Sequence, residues 1–335
     1  MAKDQDSASE ARKRTGQLQS EKEPTENEQN DTFVVTYKDK SYNVRDFLQY
    51  HPGGKVLSYY KNRSLDKAFE ENPHSVAAFH LLEDYTLNNL EKYQKYEELI
   101  DWDAPVLGQV GSLGDKYYEW VNLPVDRRIR LFKSNLLETL SVTPWYLIPM
   151  VWIPVCLFFL YSGRTRCVGT NYTLIEAAIS FALGAFMWTV LEYILHRKIF
   201  HFEAPPNAKL LMSLHFLMHG LHHKTPFDNK RLVFPPIVGL LVAQLIWYIY
   251  GLIFPEPMVY FIAAGTTTGY ISYDLIHYYL HYGTPNAETY FYFLKRNHNY
   301  HHFSHHHIGF GVTSKLWDHA FGTVIRLRKL AKPIQ

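Results

Sequence analysis

Fifteen of the eighteen histidines in the chain lie after residue 195, and ten of them fall into four spaced sets. The sets read His196-x4-His201, His219-x2-His222-His223, His277-x3-His281 and His298-x2-His301-His302. Neutral imidazoles in this number suit iron, zinc, copper or nickel, and the ligand type alone does not choose among them. Spacings of three and four put side chains on one helix face, so His219 with His222, and His277 with His281, are each expected to converge on a shared centre. The adjacent pairs His222-His223 and His301-His302 point about 100° apart on a helix, so each imidazole of a pair is expected to serve a different ion. At about five imidazoles per ion, the ten histidines are expected to hold two metals side by side. The spacing of His196 and His201 does not fit one face of a regular helix, which requires the helix to end or bulge between them. Glu192 and Asp274, each about one turn before a histidine of the set, are candidates to accept the second ring N–H of His196 and His277. His215, His305, His306, His307 and His319 stay outside the expected ligand set.

Four apolar segments must position these sets, at about 145–161, 174–195, 236–254 and 258–280, each near the roughly 17–25 residues that cross a bilayer as a helix. The first contains Pro149 and Pro154, and the fourth contains Thr266, Thr267, Thr268 and Asp274, which leaves a re-entrant path open for these two. Short connectors join the first two segments and the last two, so they read as two membrane hairpins. Their parity brings all four histidine sets to one face. Arg127, Arg128, Arg130, Arg197, Lys198, Lys224, Lys230, Arg231, Lys295 and Arg296 lie on that face, against Arg164 and Arg166 opposite, which makes it the cytosolic one. A net charge of +2 and the lack of a dense basic block exclude nucleic-acid binding. The two cysteines indicate neither a disulfide framework nor a thiolate metal site.

The first third of the chain is different. Residues 1–30 carry no aromatic residue and no apolar core of a signal peptide, and they are expected to be a disordered tail. Residues 33–44 alternate as a hairpin around Lys38-Asp39-Lys40. A short helix is expected over Asp46–Tyr50, stopped by His51-Pro52-Gly53-Gly54. His74-Ser75 follows at a helix entry. His51-Pro52-Gly53-Gly54 with His74-Ser75 resembles the haem-binding core of the cytochrome b5 family over about residues 33–100. The resemblance implies haem b held axially by His51 and His74, an arrangement that suits electron transfer. It departs from the family pattern between Tyr60 and Asp66. His80 is expected to be structural. Residues 101–143 read as a linker with an interfacial amphipathic helix near Arg127–Leu137.

Together with the connector, the segments His196–His201, His219–Lys224, Tyr273–His281 and Gly309–Asp318 resemble the membrane-bound fatty acid hydroxylase superfamily. The order of the fusion is most similar to the fatty acid 2-hydroxylases. The fold class that follows is a small α+β haem domain (31–100) and the linker (101–143), then an all-α membrane domain (144–325) and a C-terminal tail (326–335). The membrane domain has about four transmembrane helices and a cytosolic helical cap holding the dimetal centre. The resemblance implies a multi-pass enzyme of the endoplasmic reticulum membrane that uses O2 to hydroxylate C2 of long fatty acyl chains for sphingolipids such as ceramides. It further implies two metal ions, iron expected and zinc possible in purified protein, with electrons supplied by an NAD(P)H-dependent flavoprotein reductase. Membrane lipid surrounds the substrate. A desaturase or sterol C4-methyl oxidase built on the same centre is the nearest alternative. A non-catalytic membrane haem carrier with a metal-binding domain is the alternative of another class.

Overall fold

The computed structural model describes residues 32–87, 98–286 and 289–327. The expected tail over 1–30, and all but two residues of the expected tail over 326–335, lie outside the described residues. Val34–Tyr37 (β1) and Lys40–Asn43 (β2) pair antiparallel, with Val35 opposite Tyr42. Lys38 and Asp39 both take positive φ, 46° and 62°, the hand that matches the twist of a tight hairpin. Val35, Tyr42, Val44, Leu57 and Leu65 fill the core beneath the hairpin. Asp66–Glu71 (α1) and Val76–Glu83 (α2) follow, the second capped by Ser75, whose hydroxyl accepts from the Ala78 N–H. The helix expected over Asp46–Tyr50 does not form. That segment turns through bonds from Phe47 N–H to Val44 O and from Tyr50 N–H to Phe47 O, since a piece so short before Pro52 cannot repay helix nucleation.

The connector is a folded layer rather than a loose linker. Leu107–Val110 (α3) and Tyr117–Val121 (α4) bury Val110, Tyr117, Trp120 and Val121 against Met212, Phe216 and Leu221. The buried ammonium of Lys224 locks this layer on, donating to the carbonyls of Trp120 (3.0 Å) and Leu123 (2.5 Å) above the Trp120 ring. Residues 127–133 are not helical. A short helix runs only over Asn135–Leu140 (α5), because Ser134 caps it and the Arg130 side chain holds the preceding carbonyls of Phe132 and Lys133. Leu136, Leu137 and Leu140 of this helix are exposed.

Leu147–Arg166 (α6) and Leu174–Ile194 (α7) form the first long hairpin, and α7 runs on as a π-helix over Leu195–Phe200. Pro154 sits inside α6 without breaking it. After Lys209–His215 (α8), a second π turn over Phe216–Gly220 and Leu221–Lys224 (α9), the chain forms the hairpin Pro236–Ile253 (α10) and Met258–Tyr282 (α11). Tyr290–Phe303 (α12) and Leu316–Phe321 (α13) complete the cap. Among the described residues three helices, Leu147–Arg166, Leu174–Phe200 and Pro236–Ile253, are long and apolar enough to cross a membrane. Only 11% of the most apolar window of the last is buried, and Leu241 and Leu252 are each 71% exposed. Apolar faces of that extent are stable against lipid rather than water.

The fourth expected segment, α11, does not reach the same hydropathy. Its 25 residues span about 37 Å, but it is buried by the other helices, which is why it tolerates Thr266, Thr267 and Asp274. Its closest neighbour is α7. A Cβ on Gly265 would strike the Phe181 carbonyl, and one on Gly184 the Ile262 carbonyl, so the two backbones meet where only glycine fits.

Candidate metal and haem sites

The structure brings nine of the ten expected histidines into two groups, within each of which the ligand atoms lie within 4.8 Å of one another. One group holds His222, His277, His281, His298 and His302; the other holds His196, His201, His219 and His301. The tenth, His223, borders both. Its Nε2 is 3.1 Å from that of His219, and its ring stacks on His302 at 4.3 Å.

Two π turns produce this partition. In the first, the His201 N–H bonds to the His196 carbonyl at 3.1 Å, five residues back, and the wider turn puts both rings on one side. In the second, the Leu221 N–H bonds to the Phe216 carbonyl, which rotates His219 relative to the α-turn that follows. The expectation that His219 and His222 share a centre is therefore corrected. His219 stands with His196, and His222 with His277, at Nε2 separations of 3.2 and 3.0 Å. Of the adjacent pairs, His302 and His301 fall in different groups, while His222 falls in the five-histidine group and His223 in neither.

In the five-histidine group, His298 Nε2 lies 3.0 Å from His277 Nε2, 2.8 Å from His281 Nε2 and 3.0 Å from His302 Nε2. One ring nitrogen has a single proton or a single lone pair and cannot bond three like neighbours. Nitrogens about 2.1 Å from one ion and 90° apart are about 3 Å from each other, so this donor set fits a metal. Burial, and then neighbouring rings, hold His222, His223, His298 and His302 well below their ordinary pKa, which keeps them neutral and ready to ligate.

Loop 308–313 orients the second group. The Phe310 carbonyl meets His196 Nδ1 at 2.6 Å, and the Ile308 carbonyl meets His301 Nδ1 at 2.9 Å, leaving each Nε2 for the centre. Asp318 accepts from the N–H groups of Phe310 and Gly311, both at 2.9 Å. Glu192 does not bond a histidine, contrary to expectation. Its carboxylate accepts from Val312 N–H (2.9 Å), Thr313 N–H (2.8 Å) and the Thr313 hydroxyl (2.6 Å), because the loop returns to that point with donors of its own. Asp274 likewise accepts from Phe234 N–H (3.1 Å) and the Tyr270 hydroxyl (3.0 Å) rather than from His277. The loop carbonyls and Asp318 escaped the sequence reading. Gly309, at φ +76°, is the local signal of the turn that aims them.

An apolar cavity of about 520 Å³ runs between the long helices from Trp247 and Tyr250 to His219, His222 and His277, and so opens onto both groups. Of the other histidines, His215 is buried with its Nδ1 2.5 Å from the Tyr117 hydroxyl, and His80 is buried in the haem-like domain.

His51 and His74 face each other across a second pocket, with ring centroids 6.2 Å apart and planes 26° apart. Two imidazoles on opposite sides of one iron, with bonds of about 2 Å, have centroids about 6 Å apart, so the pair fits a haem. His74 Nδ1 is 2.6 Å from the Asn72 carbonyl, which turns its Nε2 inward. Burial, then the neighbouring His74, pushes His51 down to about 3. Gly54 takes φ +64°, and a Cβ on Gly53 would press on the His51 ring at 2.8 Å, which accounts for both glycines of the motif.

The fatty acid hydroxylase family profile matches residues 181–323, and that of the cytochrome b5-like haem/steroid binding domain matches residues 20–93. The fatty acid 2-hydroxylase of Macaca fascicularis is 38% identical, over 85% of this chain and 89% of its own. A dihydroceramide fatty acyl 2-hydroxylase of Arabidopsis thaliana is 37% identical, over 70% of this chain and 96% of its own. A solved structure of full-length scs7p, in which only the hydroxylase domain is visible, is 32% identical and superposes with a TM-score of 0.63, over 72% of this chain and 90% of that one.

Proposed function

The chain belongs to the fatty acid 2-hydroxylase family, and we propose that it places a hydroxyl on C2 of a long acyl chain destined for sphingolipid, using O2 and electrons delivered through its haem domain. The observation that carries this reading is the apolar cavity that begins among membrane helices and ends on both histidine groups. An acyl tail lying there, with its carboxyl end toward the cap, presents C2 and not the far end to the histidines. The balance is one C–H bond, O2, two electrons and two protons giving one C–OH and water.

The ten histidines, His196, His201, His219, His222, His223, His277, His281, His298, His301 and His302, would hold two ions, iron by the chemistry and zinc possible after purification. His51 and His74 would hold haem b. Bound there, the ions supply O2 activation and the haem one-electron transfer. The chain's own groups do the rest. The Phe310 and Ile308 carbonyls fix the tautomers of His196 and His301, Glu192 and Asp318 hold that loop, and the walls formed by Trp152, Trp188 and Trp247 exclude water from the acyl chain. Electrons come from an NAD(P)H-dependent flavoprotein reductase.

Four crossings, with α11 as the fourth, put all the histidines and the haem domain on the cytosolic face of the endoplasmic reticulum membrane. Exposed Arg128, Arg130, Lys133, Lys198 and Lys230 at that end support this orientation. The domain limits 31–100, 101–143 and 144–325 follow the same reading. The test is expression in a host lacking 2-hydroxy lipids, with mass spectrometry of its acyl chains. Wild type adds one oxygen at C2, and His222→Ala adds none while keeping haem absorbance. Loss of two hydrogens instead, or product from His222→Ala, refutes the reading.

A further inference from the structure

Helix α12 carries His298, His301 and His302, and its other side lines the pocket between His51 and His74. Arg296, Asn299, Tyr300 and Phe303 all border that pocket. At about 100° per residue, these four fall on one helix face and the three histidines on the opposite one. The haem pocket thus has a wall supplied by the membrane domain. Asn299 is buried at 5% exposure, and its Nδ2 has no hydrogen-bond partner among the described residues. A buried amide donor facing a cofactor pocket calls for an acceptor there, and a haem offers its carboxylates.

Further contacts, some of them through Phe47 and Tyr85 of the pocket wall, hold the two parts together in this pose. Phe227 of the membrane domain meets the rings of Phe47 and Tyr50 at 5.8 and 5.2 Å, and Tyr50 also meets Tyr282 at 5.1 Å. The Tyr85 hydroxyl donates to Asp126 of the connector at 2.6 Å.

Resting on the haem reading above, we propose that α12 is a shared wall: Asn299 donates to a haem carboxylate from one face while the other face holds the metal ligands. A haem held by His51 and His74 would give up one electron at a time across this helix, and ions held by the histidines of the facing groups would take up one each time, two in all for one hydroxylation.

The test uses the full-length protein in detergent. Haem transfer to apomyoglobin is followed at fixed metal content, together with reoxidation of reductase-reduced haem under O2. Asn299→Leu removes the donor at similar volume and is expected to speed haem loss about tenfold or more, as loss of a hydrogen bond to a charged group does. Phe227 lines neither pocket but packs on Phe47 and Phe303 of the haem pocket wall, and Phe227→Ala is expected to speed haem loss and slow reoxidation by loosening the docking. Wild-type haem loss in Asn299→Leu, or, where that chain does not fold, wild-type rates in Phe227→Ala, overturns the proposal. Because neither rate requires identifying the lipid product, a wild-type chain that forms no 2-hydroxy lipid refutes the hydroxylase reading and not the shared wall.

Discussion

Glu192 offers the sharpest test of how the second histidine group is held. It lies in a membrane helix at 4% exposure, and its carboxylate is the acceptor for two backbone N–H groups and one hydroxyl of Val312–Thr313. Glu192→Ala strands the two N–H groups away from water, at about 1–3 kcal/mol each, while the Thr313 hydroxyl is free to turn elsewhere. The expected cost is about 2–6 kcal/mol, a large part of a typical domain stability of about 5–15 kcal/mol. Glu192→Gln keeps the volume and one acceptor oxygen and loses only the charge assistance, about 1–2 kcal/mol. The strain falls on the Phe310 carbonyl two residues away, and so on the Nδ1 contact that aims His196. Metal content per chain, measured by plasma mass spectrometry, and thermal unfolding in detergent read the two effects. The alanine variant should lose metal and unfold several degrees lower, with glutamine in between. Full metal content and an unchanged melting temperature in Glu192→Ala would show that the loop does not position the histidines.

Other consequences are checked more briefly. His51→Ala should abolish the haem Soret band while leaving metal content intact, since the two sites share no ligand. Gly265→Leu should prevent the close approach of α7 and α11 and lower the yield of folded, metal-loaded protein, whereas leucine at Gly251, which has open space around it, should be tolerated. For pH, burial alone would raise the Glu138 carboxyl, but the Phe132 N–H, the Arg231 guanidinium and the Leu131 N–H outweigh it and hold the group below its ordinary 4.5. A carboxylate depressed on folding contributes stability above its unfolded pKa and loses it as pH falls through the folded value. The melting-temperature gap between wild type and Glu138→Gln should therefore be full at pH 6–7, by about two units above the ordinary carboxylate range, and close on acidification.

The histidine sets, nine of whose ten members gather in two groups, were legible in residue type and short spacing, and the facing pair His51 and His74 in the resemblance to the cytochrome b5 family. The long apolar helices were legible too, as hydropathy is a property of local composition. Three features came only from the tertiary structure. The π turn at Phe216–Gly220 reassigns His219 away from His222, since one extra residue per turn rotates every later side chain, whereas the bulge over Leu195–Phe200 was already required by the spacing of His196 and His201. Glu192 and Asp274 serve backbone donors that arrive from residues 313 and 234, distant in sequence and near only after folding. Likewise, nothing local to residues 101–131 announces a folded layer, because its buried face is defined by Met212, Phe216 and Leu221 on another part of the chain. Sequence specified which atoms could bind metal and haem; packing between segments far apart in the chain decided which histidines lie together and which helix stands between the histidine groups and the His51–His74 pocket.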